Sequence, residues 1–384
     1  MTLHFSDSEF ATRKMAVMTE MKQAGLDAML IFRQESMYWL TGYDTFGYVF
    51  FQTLVLTANG DVVLMTRAPD LRQAQNTSNI ADIRIWVDRD GASPADDLRD
   101  ILVELGLKDG KFGVEYEAYG LTGRNAMRLN TALDGFGEMV DASEMISRLR
   151  LVKSATEIAY IKRAGELSDA ALDAAYELAK PGADEGEILA AMQGVIFAGG
   201  GDYPANEFII GSGKDALLCR YFSGRKILQD QDQLTLEWAG AYRHYHAAMM
   251  RTIPIGRALD AHIDMHAACV EALDACHDAF RVGNNVGDVF DAHARVMDAR
   301  GYNHARLNAC GYSMGATFSP NWMDWPMFYQ GNPVQLEQGM AFFMHMILMD
   351  SESGVAMNLG ESFVLEETGG TRLSTSSRDL FVGE

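Results

Sequence analysis

Cysteine and positive charge are both scarce in this 384-residue chain, and long apolar runs are missing. The 4 cysteines (Cys219, Cys269, Cys276 and Cys310) form no CxxC pair and no framework spacing, so neither a disulfide scaffold nor a zinc ribbon is encoded. They read as reduced thiols of a cytoplasmic protein. Lysine and arginine number 32 against 53 acidic residues, a formal charge of −21. That balance argues against nucleic acid or an anionic membrane as partner and fits a soluble or salt-adapted surface. The most apolar stretch, Ala341 to Met349, is interrupted by His345 and far too short to span a bilayer. Met1 to Lys14 lacks the apolar core of a signal peptide. What is present is a hydrophobic share of 48%, enough for a sizeable core, and a length that suggests two or three domains. Most of the 23 methionines read as adaptable core filler.

Residues 1–150 alternate helix and strand patterns. Ser8 to Ala24 has helical spacing and ends at Gly25; Ala28 to Phe32 reads as a buried strand. Phe50 to Leu56 and Val62 to Met65 flank Asn59-Gly60, a hairpin signal, and Ile83 to Val87 and Lys111 to Val114 add two strands. This is an α/β layer domain. In residues 151–384 the spacing predicts helices over Thr156 to Leu178, Glu185 to Phe197, Leu259 to Phe280 and Val286 to Arg300. Glycine-rich and strand-like segments lie between them, and short strands follow Met340. Helix pairs followed by antiparallel strands make this second domain α+β.

Four segments in order carry a family resemblance. Arg150-Leu-Val-Lys153-Ser-Ala-Thr-Glu157-Ile opens the second domain, Arg251-Thr252 follows, then Leu336-Glu-Gln-Gly339-Met340 and Phe363-Val-Leu-Glu-Glu-Thr-Gly369. Together they resemble the creatinase/aminopeptidase P family, whose second domain has the pita-bread fold, and with the α/β first domain the resemblance spans nearly the whole chain. Metal-dependent members hold two ions with two Asp, one His and two Glu, because hard divalent ions need bridging carboxylates to activate one water. The corresponding positions here are Glu237, Ala248, the turn Gly311-Tyr312-Ser313, His345 and Gly360, with Glu361 adjacent to the last. Such a set does not make a two-metal bridge, so no metal and no other cofactor is expected, a lone zinc on Glu237, His345 and His246 being the alternative.

Further segments resemble the metal-free branch of that family, which holds creatinase and the ectoine hydrolases. They are Gly200-Gly-Asp202-Tyr203-Pro204-Ala205, Glu237-Trp-Ala239-Gly240-Ala-Tyr242-Arg-His-Tyr245-His246, Cys310-Gly311-Tyr312-Ser-Met-Gly315 with Pro320-Asn-Trp322, and Trp39-Leu-Thr-Gly42-Tyr43-Asp44. Two departures stand out. Arg220, in Cys219-Arg220-Tyr221, replaces a family His, and Met250 replaces the Glu that precedes Arg-Thr in creatinase. Both argue against creatine as substrate.

Hydrolysis of an amidine or amide needs a base for water, an acid for the leaving nitrogen and donors for the tetrahedral intermediate. Glu237, after the strand Gln233 to Leu236, is the candidate base or nucleophile; the alternative is a structural carboxylate paired with Arg or Lys. His246, across an expected hairpin, is a candidate acid or orienter, or a hydrogen-bonded core histidine. His345 and Tyr312 complete the catalytic candidates, against roles as a satisfied core histidine and a buried aromatic. Arg220 suits a substrate carboxylate, or else pairs with Asp202 or Glu361. Asp202, Tyr203, Tyr242, Trp322 and Glu361 are further substrate-binding candidates, with Trp325 and Phe328 beside Trp322 as pocket lining or packing. The resemblance adds Trp39, Tyr43 and Asp44, reaching a partner subunit's site across a homodimer. The expected activity is metal-independent hydrolysis of a C–N bond in a small carboxylate-bearing compound, as in ectoine hydrolases. An Xaa-Pro metallopeptidase, a lyase on a small zwitterion and a non-catalytic binding protein are the alternatives.

Overall fold

The computed structural model describes residues 3–220 and 224–384. Met1, Thr2 and residues 221–223, and with them the Tyr221 of the Cys-Arg-Tyr segment, lie outside the described residues. The chain divides into two compact units, Met1–Arg150 and Leu151–Glu384.

In the first unit, helix α1 (Asp7–Ala24) starts at Ser6, whose side chain accepts from the Glu9 N–H, and stops at Gly25 with φ 66°. The sheet contains β1 (Ala28–Ile31), β2 (Thr53–Thr57), β3 (Val62–Arg67), β4 (Asp82–Trp86), β5 (Lys111–Val114) and β6 (Glu138–Asp141), in the order β4-β3-β2-β1-β5-β6. Its β1 is apolar throughout because the strand feeds two cores: Ala28 and Leu30 pack on one face, Met29 and Ile31 on the other. Asn59-Gly60 closes the β2–β3 hairpin as its sequence predicts, but the strand begins at Thr53 rather than Phe50. Helices α2 (Gln34–Thr41), α3 (Leu71–Thr77), α4 (Pro94–Glu104), α5 (Gly123–Ala132) and α6 (Met145–Leu151) complete the α/β domain.

The second unit opens on α7 (Ala155–Leu178), whose capping box joins Ser154 and Glu157. Then come α8 (Glu185–Ala198), β7 (Ile209–Ser212), β8 (Asp232–Tyr242), β9 (Tyr245–Ile255), α9 (Asp260–Ala279) and α10 (Val286–Ala299). Strands β10 (Gly311–Ser313), β11 (Asp324–Met327), β12 (Ala341–Asp350), β13 (Val355–Glu366) and β14 (Gly369–Arg372) finish the unit. The sheet runs β11-β10-β12-β13-β9-β8-β7, with β14 paired to β13. Every neighbouring pair is antiparallel.

One face of this sheet is covered by helices. Phe342, Met344, Met346 and Leu348 of β12 pack with Leu273, Cys276 and Phe290 of the helices α9 and α10. Helix α7 lies against β8 and β9 through Ser168, whose hydroxyl donates to the Ala247 carbonyl and accepts from the Gly240 N–H. A Cβ at Gly240 would collide with the Ala164 carbonyl, so glycine sets how close α7 can approach. Because side chains alternate along a strand, Glu237, Ala239, Phe343, His345 and Ile347 face the other way. That second face carries the site.

Candidate active site

The register across the sheet places Glu237, Met250, Gly360 and His345 in one row over β8, β9, β13 and β12. In the neighbouring row on the same face lie Ala248, Ser362, Phe343 and Tyr312; Ser362 Oγ donates to the Ala248 carbonyl at 2.9 Å. All the positions that the resemblance assigns to metal ligands are therefore brought together, and Gly360, not Glu361, occupies the last of them. A cavity of about 390 Å³ opens over these rows, lined among others by Glu237, Tyr312, Trp322, His345, Cys219 and Arg220.

Glu237 is the chemical centre of the cavity. The Tyr312 hydroxyl donates to its Oε1 at 3.2 Å, and the Trp322 indole N–H donates to the Tyr312 oxygen at 2.8 Å. Burial pushes the Glu237 carboxyl up to about 7, while the Tyr312 hydrogen bond and the Arg220 charge pull the other way. Tyr312 is raised well above the ordinary phenol range by burial and by the Glu237 charge. Arg220 is exposed, and among the described residues it makes no ion pair. Its guanidinium is thus available for an anionic ligand, and neither Asp202 nor Glu361 is its partner.

His345 is 6% exposed, its Nδ1 has no hydrogen-bond partner among the described residues, and burial pulls its imidazole down to about 4. It faces the cavity as a neutral ring at ordinary pH. Cys219 contacts the Met349 sulfur at 3.2 Å, and its thiol is raised by burial and by Glu237. Asn206, Asn308 and Asn321 add carboxamides to the wall. Sequence reasoning did not single these out; only Asn321, inside the Pro320-Asn-Trp322 segment, had a signal that could have found it.

Several expected site residues are placed elsewhere. His246 pairs with Ala241 four residues beyond Glu237, about 13 Å along the strand, and is not opposite it. It is fully buried: Nε2 accepts from the Ala205 N–H at 2.9 Å, and Nδ1 pairs with Thr317 Oγ1 at 3.1 Å. Burial pulls it down to about 3, so it stands as a neutral imidazole with both ring nitrogens engaged. Glu361 is also withdrawn from the site. It points to the helix-covered face opposite Met344 and binds Arg251, Arg372 and Arg378 at 2.7, 2.6 and 2.8 Å.

Asp202 instead holds the β8–β9 turn, where its Oδ2 accepts from the His244 N–H at 3.2 Å. That support matters because Arg243 and His244 both have positive φ, 51° and 65°, in a two-residue turn that ordinarily takes Asn-Gly. Tyr203 is 81% exposed and packs on Phe197, and Tyr242 packs on Tyr160; neither lines the cavity. Trp325 and Phe328 pack into the helix-side core, leaving Trp322 as the aromatic of that segment in the cavity. In the first unit, Trp39 sits on α2 and Tyr43 just after its Gly42 cap, both buried in that unit's own core. The Asp44 carbonyl accepts from Gln73.

These features define a pita-bread hydrolase scaffold, and comparison with known proteins agrees. Residues 159–373 match the metallopeptidase family M24 and residues 13–152 the creatinase/prolidase N-terminal domain. The chain belongs to family M24. It is 27% identical, over 99% of both chains, to the ectoine hydrolase of Halomonas elongata. A hydrolase/peptidase of Sinorhizobium fredii described as uncharacterized, y4tM, is 28% identical over 99% of each chain. Among solved structures, a prolidase from Thermococcus sibiricus superposes with a TM-score of 0.87 at 18% identity, covering 97% of this chain and 99% of its own; that likeness shows the fold.

The family name implies a metal pair. Among the described residues, no three His, Cys, Asp or Glu side chains gather to hold a metal ion. Ala248 and Gly360 offer no ligand atom where carboxylates would be needed, and Tyr312 stands at the turn of the family histidine. These residues do not fit a bridged pair of ions. Among the described residues no helix is long and apolar enough to cross a membrane.

Proposed function

We propose that this chain is a metal-independent hydrolase of a C–N bond, amidine or amide, in a small polar compound that carries a carboxylate. The observation that supports it most is the Glu237 carboxyl, half-buried in the cavity wall, raised to about 7 and touched, among the described residues, by a single hydroxyl donor. A carboxylate with that poise exchanges protons readily near neutrality. In its ionised form Glu237 takes a proton from water as the water oxygen bonds to the substrate carbon. With an amide, negative charge then collects on the former carbonyl oxygen, where Tyr312 can donate; with a cationic amidine the same addition leaves a neutral nitrogen there. Glu237 returns the proton to the leaving nitrogen as the C–N bond breaks, giving an acid or amide and an amine. One residue serves as base and then acid, which removes the need for His246.

Arg220 supplies a planar cation for the substrate carboxylate. The similarity to an enzyme named for ectoine hydrolysis makes cyclic amidino acids the first substrates to try. We further propose a cytoplasmic homodimer in which the first unit of one chain approaches the site of the other, as the family resemblance implies; Trp39 and Tyr43, buried in their own core, would support that unit from within, and only Asp44 of the three is partly exposed. A dipeptidase reading draws on the prolidases among the structural neighbours, but it needs the metal pair that this donor set does not fit.

A thermal-shift screen of compatible solutes and guanidino acids tests the reading, since a ligand that binds only the folded chain raises its melting point. Hits should then be turned over to an amine and an acid or amide, and Glu237→Gln should keep the thermal shift while losing turnover. Binding with no turnover by the native chain would instead make it a binding protein. Xaa-Pro cleavage dependent on a bound ion would restore the peptidase.

A further inference from the structure

We infer that Trp322 is a positioning residue: its indole N–H occupies the Tyr312 oxygen and commits the Tyr312 hydroxyl to donating into the cavity. The use of that donor in catalysis rests on the hydrolase reading above; the direction of the hydrogen bonds does not. An indole nitrogen is a donor only, and a phenol has one proton to give. With Trp322 donating at 2.8 Å, the Tyr312 proton has to point elsewhere, and the acceptor in reach is Glu237 Oε1 at 3.2 Å. Both aromatic side chains are nearly closed to solvent, Trp322 2% and Tyr312 3% exposed, so water does not readily replace either partner.

The indole is itself held in place. Asn321 Oδ1 accepts from the Met323 N–H at 3.0 Å, bending the chain around Trp322. The indole lies 6.5 Å, centroid to centroid, from the His246 ring, which is fixed by Ala205 and Thr317. His246 thus acts at the far end of the relay as a rigid neighbour of the indole.

A one-way donor suits a site in which charge moves. While Glu237 is a carboxylate, Tyr312 donates to it. Once Glu237 has taken the proton from water, its oxygen is a poorer acceptor and, with an amide substrate, the tetrahedral intermediate is the anion. The same hydroxyl, still unable to turn toward Trp322, can donate to that anion. Donation by the indole also polarises the phenol, since linked hydrogen bonds strengthen one another. A phenylalanine at position 322 would keep most of the packing and lose this constraint.

The test compares Trp322→Phe, Tyr312→Phe and the double variant by the infrared band of the protonated Glu237 carboxyl, assigned by its loss in Glu237→Gln. Arg220, Cys219 and His345, the other titratable groups that line the cavity among the described residues, are common to all three. Each single change should move the titration midpoint above its native value near 7, Tyr312→Phe more than Trp322→Phe, and the double variant should match Tyr312→Phe. A Trp322→Phe shift of the same size in the Tyr312→Phe background, or none in either, would overturn the inference. If Trp322→Phe does not fold, the indole N–H resonance of Trp322 decides: it should follow the Glu237 titration in the native chain and cease to follow it in Tyr312→Phe. A resonance indifferent to that titration is equally contrary. With a substrate in hand, Trp322→Phe should lower kcat about 10-fold and leave KM within about 2-fold. Absence of any turnover by the native chain would sink the hydrolase reading alone, because the spectroscopic outcomes stand without it.

Discussion

Glu237 and Glu361 lie on one sheet, on β8 and β13 with only β9 between them, and have opposite chemistry. Glu361 is fully buried on the helix-covered face, where three arginines saturate its oxygens. Glu237 is on the open face with one hydroxyl donor and an exposed arginine at a distance. A carboxylate satisfied three times over is a structural tie. One that is desolvated but poorly compensated is poised to exchange a proton. Alternation along a strand is enough to separate the two roles.

The contrast can be broken most severely at Glu361. Glu361→Gln leaves three arginines short of a counter-charge and should cost about 4 kcal/mol, a fall of roughly 10 °C in melting point for a unit of this size. Survival of the native melting point would mean that the network contributes little.

His246→Ala comes next. It strands the Ala205 N–H and the Thr317 hydroxyl in the interior and should cost about 3 kcal/mol, while activity per folded molecule stays within about 10-fold. Complete loss of turnover in a folded variant would return His246 to the catalytic set.

Glu237→Gln should have the opposite sign on stability. The folded chain holds the Glu237 proton up to about pH 7, whereas the unfolded chain releases it near 4.5. Between those values the native state binds more protons, so its stability falls as pH rises through the window. The glutamine variant escapes that cost. It should match the native chain below pH 4 and exceed it by about 3 kcal/mol at pH 8, read from denaturant midpoints at the two pH values. The smallest stability effect belongs to His345→Phe: its Nδ1 has no partner to lose, so the change should stay within about 1 kcal/mol. A larger loss would reveal a structural bond at that nitrogen.

Elements with a strong period were legible in the sequence. The helices over Thr156 to Leu178 and Glu185 to Phe197 fall within one residue of α7 and α8, since capping and apolar spacing agree there. Glu237, Tyr312, His345 and Arg220 could be nominated because family positions constrain them, and the sheet register brings all but Arg220 onto adjacent rows. His246 could not be judged from spacing. Its distance from Glu237 depends on where the hairpin turns, and the turn is Arg243-His244, a pair with no sequence signature for positive φ. The Glu361 role was equally hidden, because two of its three arginines lie in the last strand and the segment after it. Short helix α2, with every residue but Glu35 buried, carries no amphipathic period to read.

The central claim is that Glu237 performs the proton transfers without a metal ion. The pH profile of kcat/KM for chelator-treated protein, with the substrate found by the ligand screen, tests it most directly. Turnover should be undiminished, with an acidic limb centred near pH 7, where Glu237 ionises. Activity abolished by the chelator and restored by a divalent cation would contradict it.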